Sequence, residues 1–131
     1  MTGPPLPPDD ALRAGALDLM ARHVAAIDAG DRDAFRATCY LFPANDGLPF
    51  ERWWARLREL APLLDATLTA EDVNRKVRAR RTPTGEHDPH ASVWVRLRFR
   101  SGATGEHHEG ALPVWYLVDS GTFALGGRAH W

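Results

Sequence analysis

The sequence predicts an α+β protein in which three helices pack on one face of a strongly bent antiparallel sheet. Two observations support this fold class. Apolar residues recur at helical spacing as far as Asp65, and beyond it they alternate with polar residues, which is the period of a strand. Turn-forming segments separate the alternating stretches, so the strands are expected to follow one another as a meander with the helices on one side.

The first helix is predicted over residues 10–29, where the apolar positions form one stripe. That stripe consists of Leu12, Ala16, Leu19, Met20, His23, Val24 and Ile27. Asp9 and Asp10 suit the N-terminus of this helix through capping and the helix dipole, and Gly30 suits its C-terminal end.

Two further helices are predicted before the strands begin. Asp31 is expected to cap a short second helix over residues 32–38. Pro43 and the turn at residues 45–47 then break the chain. The third helix begins after Pro49, and its apolar stripe contains Phe50, Trp53, Trp54, Leu57, Leu60, Ala61 and Leu64.

Alternating segments make up the second half of the chain. Residues 73–80 alternate loosely, whereas residues 91–100 alternate cleanly, with Val93, Val95, Leu97 and Phe99 on one face and Trp94, Arg96, Arg98 and Arg100 on the other. Residues 111–118 are apolar at successive positions, so this strand is expected to be covered on both faces. A turn at 119–121 leads to the last predicted strand, 122–131.

The tetrapeptide TGEH occurs twice, at residues 84–87 and 104–107, with further histidine and carboxylate beside each copy. Both copies fall between consecutive strands, and successive turns of a meander lie at opposite ends of the sheet, about 20–30 Å apart. One metal ion cannot be bound by both turns. His108 and Glu109 re-enter a strand and point to opposite faces, so we interpret the repeat as two turns and predict no metal site.

Length and composition predict a single domain over residues 10–131 after a disordered, proline-rich leader at 1–9. The net charge of −1 indicates no nucleic-acid or anionic-membrane partner, and the single cysteine excludes an internal disulfide. No apolar run reaches the length of about 18 residues that a transmembrane helix needs, and the leader does not have the pattern of a secretory signal. The simplest interpretation is a soluble cytoplasmic protein.

Three stretches resemble the nuclear-transport-factor-two-like superfamily: RHVAAIDAGDRDAF (22–35), VRLRFRSG (95–102) and WYLVDSGTFAL (115–125). Relatives in that superfamily include ketosteroid isomerase, limonene epoxide hydrolase and polyketide-cyclase-like proteins. The resemblance covers about residues 10–131. It implies a cystatin-like, cone-shaped fold in which the curved sheet encloses a pocket closed by the helices. The implied function is to bind a small, largely apolar molecule and to turn it over without a cofactor.

The resemblance also implies positions for catalytic groups. The proton donor on helix one of ketosteroid isomerase falls at His23, and its base beyond helix two falls at Asp46. The strand carboxylate falls near Val114, which can neither donate a proton nor ionise, so a steroid-isomerase mechanism is not expected. The Asp-Arg-Asp arrangement of limonene epoxide hydrolase is not matched either, because Arg96 and Arg98 have no inward aspartate beside them.

The predicted catalytic residues are His23, Asp46 and Tyr116, for acid–base chemistry of the isomerase, cyclase or dehydratase type. Helical geometry points His23 inward, but a core histidine bonded to one carbonyl has the same pattern, and Asp46 also suits a plain turn. Tyr116 supplies a donor if its face lines the cavity. The predicted ligand-binding residues are Met20, Tyr40, Phe42, Trp54, Leu57, Val95, Leu97 and Val114. The alternative is a non-catalytic ligand-binding or dimerisation module.

Half of the 16 lysine and arginine residues fall between positions 75 and 100. With Trp94 among them, this face of the sheet could bind phosphate and stack bases, or it could be a plain solvated surface. A third interpretation is a homodimer interface, because strand 111–118 is apolar on its outer side and superfamily members commonly dimerise through that face. The apolar outer side of this strand favours the homodimer.

Overall fold

The computed structural model describes residues 6–40, 50–75, 91–118, 120–129 and 131, and within these ranges the chain forms three helices followed by four strands. The helices are α1 (Asp9–Ala29), α2 (Arg32–Ala37) and α3 (Phe50–Leu60). The strands are β1 (Leu63–Asn74), β2 (Ala91–Ser101), β3 (His107–Leu117) and β4 (Thr122–Leu125). They form one antiparallel sheet in the order β1-β2-β3-β4. The predicted α+β class, with three helices packed on an antiparallel meander, is confirmed.

Local sequence signals explain where α1 ends and where α2 begins. Gly30 has a φ of 68°, in the left-handed region that favours glycine, and its N–H donates to the carbonyl of Ile27. The guanidinium of Arg58 in α3 donates to the same carbonyl (2.6 Å), so α3 also caps α1. Asp31 accepts from the N–H of Ala34 and caps α2, as predicted. The residue that precedes α1 is Pro8, so the predicted aspartate cap is wrong and the two aspartates instead occupy the first turn.

The helices cover the inner face of the sheet, which contains the apolar residues of β2 and β3. On β2 these are Val93, Val95, Leu97 and Phe99, which pair with Val114, Leu112, Gly110 and His108 on β3. The apolar members of this set are at most 2% exposed and form one core with α1 and α3. Each large apolar side chain buried in this way contributes about 1.5–3 kcal/mol to stability.

Two predicted strand boundaries are wrong. β1 begins at Leu63, whereas its predicted start is near residue 73. The start was missed because the register of β1 with β2 shifts between Leu64 and Thr67 and again between Ala70 and Val73. A bulge inserts a residue and inverts the alternation, so the sequence pattern of a single strand is lost. β4 ends at Leu125, and the residues after it leave the sheet.

Residues outside the regular elements also contact the domain. Leu6 packs against the core, and the carbonyl of Pro7 accepts from Arg75 (2.6 Å). The main chain of 38–40 pairs with the free edge of β4 through a parallel bridge between Cys39 and Leu125. Among the described residues, no helix is long and apolar enough to cross a bilayer.

The second TGEH copy forms the turn between β2 and β3, where Gly105 has a φ of 77°. His108 follows on the inner face opposite Phe99 and Glu109 lies on the outer face, as predicted. There Glu109 contacts Arg98 (2.9 Å). The first copy, at 84–87, lies outside the described residues. Within the described ranges, no group of three or more potential ligands is arranged to bind a metal.

Candidate functional site

A row of aromatic and imidazole rings runs through the interior between the helices and the sheet. We call Phe35, His23, Trp53, Trp131 and His108 the ring row. Successive ring centroids in the row are 4.5, 6.5, 5.1 and 5.9 Å apart. Phe99 of β2 packs against the last two members, at 5.2 and 5.3 Å. The two histidines of the row differ in their hydrogen bonding: both nitrogens of His23 have partners, whereas Nε2 of His108 has none among the described residues.

His23 lies at the satisfied end of the ring row. The Trp53 indole N–H donates to His23 Nε2 (3.4 Å), so Nε2 must be unprotonated. Nδ1 then bears the hydrogen and donates to the Thr38 hydroxyl (2.8 Å), which in turn donates to the Phe35 carbonyl (2.6 Å). Every donor in this relay has one acceptor, which holds the imidazole in its neutral Nδ1–H form.

Burial also sets the protonation of His23. The ring is completely buried, and loss of hydration of its charged form lowers the pKa to about 3. The imidazole therefore stays neutral near pH 7, with both nitrogens already engaged. His23 is a core histidine, but its partners are the Thr38 hydroxyl and the Trp53 indole instead of the single carbonyl of the alternative. Proton transfer by His23 stays a prediction.

Five of the predicted ligand-binding residues lie together in the core. These are Met20, Leu57, Val95, Leu97 and Val114, and each is at most 1% exposed. The neighbouring tryptophans of α3 diverge: Trp53 is the one that enters the interior, whereas Trp54 is half-buried against Phe35 (4.8 Å).

The remaining predicted residues are distributed around the molecule. Tyr116 packs on Phe123 (5.2 Å), eight residues along β3 from His108 and therefore about 26 Å away along the strand. Tyr40 packs on Trp115 (5.0 Å). Phe42 and Asp46 lie outside the described residues. Tyr116 contacts Phe123, whereas His23 contacts Thr38 and Trp53, and convergence of the predicted catalytic set stays a prediction.

His108 lies at the unsatisfied end of the ring row. Its Nε2 and the Nε1 of Trp131 are both buried, and neither has a hydrogen-bond partner among the described residues. The carboxylate of Glu106 is 4.0 Å from His108 Nε2, which is beyond hydrogen-bonding distance. A buried polar atom without a partner costs about 1–3 kcal/mol, so two such atoms beside each other require an explanation.

Gly110 explains how the Trp131 indole reaches this position. A Cβ atom at Gly110 would lie 2.7 Å from Trp131 Nε1 and 2.6 Å from the Ala129 side chain. Only glycine therefore lets the indole edge approach the main chain of β3 so closely. We call the space bounded by Trp53, Phe99, His108 and Gly110 the aromatic slot; in this structure Trp131 fills it.

A surface cleft with a volume of about 590 Å³ lies on the outer face of the sheet, across β1, β2 and β3. It is lined by Asp65, Thr67, Arg98, Phe99, Arg100, His107, His108 and Glu109. Phe99 and His108 alternate with the outer-face residues of this set, so their side chains point to the opposite, inner face. The charged rim of the cleft is internally paired, through Arg98 with Glu109 (2.9 Å) and Arg100 with Asp65 (3.7 Å).

His108 and Trp131 are not among the site residues predicted from the sequence, because the TGEH repeat there indicates only turns. A signal was present in β3, where His108 and Gly110 occupy alternate positions in phase with Leu112 and Val114. Nothing in the sequence indicated that Trp131 would return to the inner face.

Comparison with known proteins finds no match among protein-family models, curated proteins or solved structures.

Proposed function

We propose that this protein has the cone-shaped fold of the nuclear-transport-factor-two-like superfamily and binds a small, planar, largely apolar molecule in the aromatic slot. The order of its elements supports this proposal. So does the segment 22–35, in which α1 ends at Gly30 and Asp31 caps α2. In this proposal the pocket lies between the inner face of the sheet and α3, with His108 as its polar anchor.

The proposal depends mainly on one observation, the unpaired His108 Nε2 in a wall of aromatic rings. Ligand pockets are mostly apolar, with a few polar groups that orient the ligand. Trp53 and Phe99 supply flat surfaces, and His108 Nε2 can donate to or accept from one polar atom of the ligand. A planar molecule with a single hydroxyl or carbonyl group meets these requirements.

The same site supports cofactor-free acid–base catalysis as a second candidate function. His108, unlike His23, has a nitrogen without a partner among the described residues, so it is the histidine that can exchange a proton with a bound molecule. An isomerase, cyclase or dehydratase reaction would use His108 in the role that the sequence analysis assigned to His23. The binding function requires only the anchor, and we take it as the primary proposal.

Replacing His108 with phenylalanine tests the binding proposal, since the ring remains and the nitrogen is lost. We expect the affinity for 2-naphthol, measured by calorimetry, to fall about three- to tenfold, the contribution of one hydrogen bond. The free energy of unfolding should stay equal or rise, because an unpaired buried polar atom is removed. Loss of function with unchanged or greater stability is typical of a binding residue.

His107→Phe is the matched control, because His107 is exposed and neighbours His108 in sequence. We expect it to leave the naphthol affinity unchanged. Equal affinity of the His108→Phe variant and the wild type, or no binding to either, would refute the role of His108 as anchor.

We further propose that a second copy of the chain covers the outer face of the sheet. Trp94, 40% exposed, lies at the middle of this face opposite Pro113. The arginines of β2 are already paired: Arg96 contacts Glu71 and Glu109, and Arg98 also contacts Glu109. A face with an exposed indole and balanced charge favours a like surface over phosphate.

Trp94→Arg is expected to convert a homodimer into a monomer in sedimentation analysis. A central tryptophan contributes about 2–4 kcal/mol to an interface, so the dissociation constant should rise at least about thirtyfold. Asp33→Arg adds the same side chain on an exposed position of α2 and should leave the dimer intact. A wild type that sediments as a monomer at all accessible concentrations would rule out this interface.

A further inference from the structure

We infer that Trp131 is a built-in occupant of the aromatic slot and that the ligand binds by displacing it. This inference rests on the proposed binding function and adds its regulation. We call residues 126–131 the strap; position 130 lies outside the described residues. In the structure the Trp131 ring lies 5.1 Å from Trp53 and 5.2 Å from Phe99, where a planar ligand would stack.

The strap is attached to the sheet at its beginning. The N–H of Gly126 donates to the carbonyl of Pro113 (2.9 Å). Beyond Gly126, the described residues of the strap make no main-chain hydrogen bond to other described residues, so packing of Ala129 and Trp131 holds the rest in place. A segment held mainly by side-chain packing can leave the protein surface without breaking the sheet.

Trp131 fits the slot by shape but not by hydrogen bonding. Its own N–H faces Gly110, and His108 Nε2 beside it is also unpaired. A ligand that hydrogen-bonds to His108 satisfies one of these atoms, and release of Trp131 into water satisfies the other. The rings of the ligand replace the apolar contacts of the indole, so the exchange has a net driving force.

Trp131 competes with the ligand for the slot. The apparent affinity for the ligand is therefore the intrinsic affinity multiplied by the fraction of molecules in which the slot is open. With an open fraction of roughly 1–10%, removal of the indole should strengthen binding about tenfold to a hundredfold. Trp131→Ala is therefore expected to bind 2-naphthol more tightly than the wild type by this factor. Arg128→Ala, which shortens an exposed side chain of the same strap, is the matched control and should bind as the wild type does.

The wild-type protein provides a second measurement that does not require a variant to fold. The indole N–H signal of Trp131 in a nitrogen-15 correlation spectrum should be protected from water exchange without ligand. Saturating 2-naphthol should move this signal to a solvent-exposed position while the His108 imidazole signals shift. Ligand binding and strap release would then be seen in the same titration.

The outcomes separate the two proposals. If the His108 signals shift but the Trp131 N–H stays protected, and Trp131→Ala binds no more tightly, the slot binds ligand without strap release and the inference is overturned. If 2-naphthol shifts the signals of neither His108 nor Trp131 in the wild type, and also leaves the His108 signals of Trp131→Ala unchanged, the proposed binding function itself fails. Release of Trp131 together with tighter binding by the variant supports both.

Discussion

Replacing Trp53 with alanine is expected to lower the free energy of unfolding by about 3–5 kcal/mol, the usual cost of deleting a fully buried large aromatic ring. Trp53 is 1% exposed and lies between His23 and Trp131 in the ring row. The substitution leaves a cavity and removes the only described donor to His23 Nε2, which joins His108 Nε2 and Trp131 Nε1 as a third unpaired buried nitrogen. Urea unfolding at pH 7 would measure the loss.

Trp54→Ala is the matched control, since it removes the same ring from the adjacent position of the same helix. Trp54 is half-buried, and its contacts are Phe35 and the Arg58 guanidinium. We expect a clearly smaller loss of stability. Equal losses in the two variants would mean that the ring row is not the centre of the core.

The second large effect is the dependence of stability on pH through His23. Burial lowers the folded-state pKa to about 3, while the unfolded chain has the ordinary value of 6.5. Between these values the unfolded state binds the additional proton, so stability is complete above pH 6.5 and falls as the pH decreases. We expect His23 to contribute a loss of about 2 kcal/mol between pH 7 and pH 5, with a further loss toward pH 3.

Urea unfolding of the wild type and of His23→Gln at several pH values isolates this contribution. The two proteins share every other ionisable group, so the difference in slope belongs to His23. A His23→Gln variant with an unchanged slope would contradict the assignment of a neutral, buried imidazole.

Much of the helical part of the fold could be predicted because its signals are local. The left-handed conformation after α1 requires Gly30, and the cap of α2 requires Asp31. The inward orientation of His23 followed from helical periodicity alone. What periodicity could not indicate was the partner of each nitrogen, because Thr38 and Trp53 are 15 and 30 residues away in sequence.

The strands were predicted less accurately where pairing overrides the local pattern. The cleanly alternating β2 was identified with its inner and outer faces, and the interior positions of Val95 and Leu97 followed from it. The two bulges of β1 depend on its register with β2. Alternation along β1 alone therefore placed the start of the strand too far along the sequence. β4 ends early because Ala129 and Trp131 pack on the inner face at Gly110.

Composition and periodicity were sufficient to establish the class of fold, the order of its elements and the burial of His23, since these depend on each residue and its near neighbours. The candidate site depends on distant segments that meet only in the folded chain. Its walls come from α3, β2 and β3, and Trp131 enters from beyond β4. Whether a buried histidine is satisfied or left with a free nitrogen is decided by those contacts, which is why His23 and His108 differ.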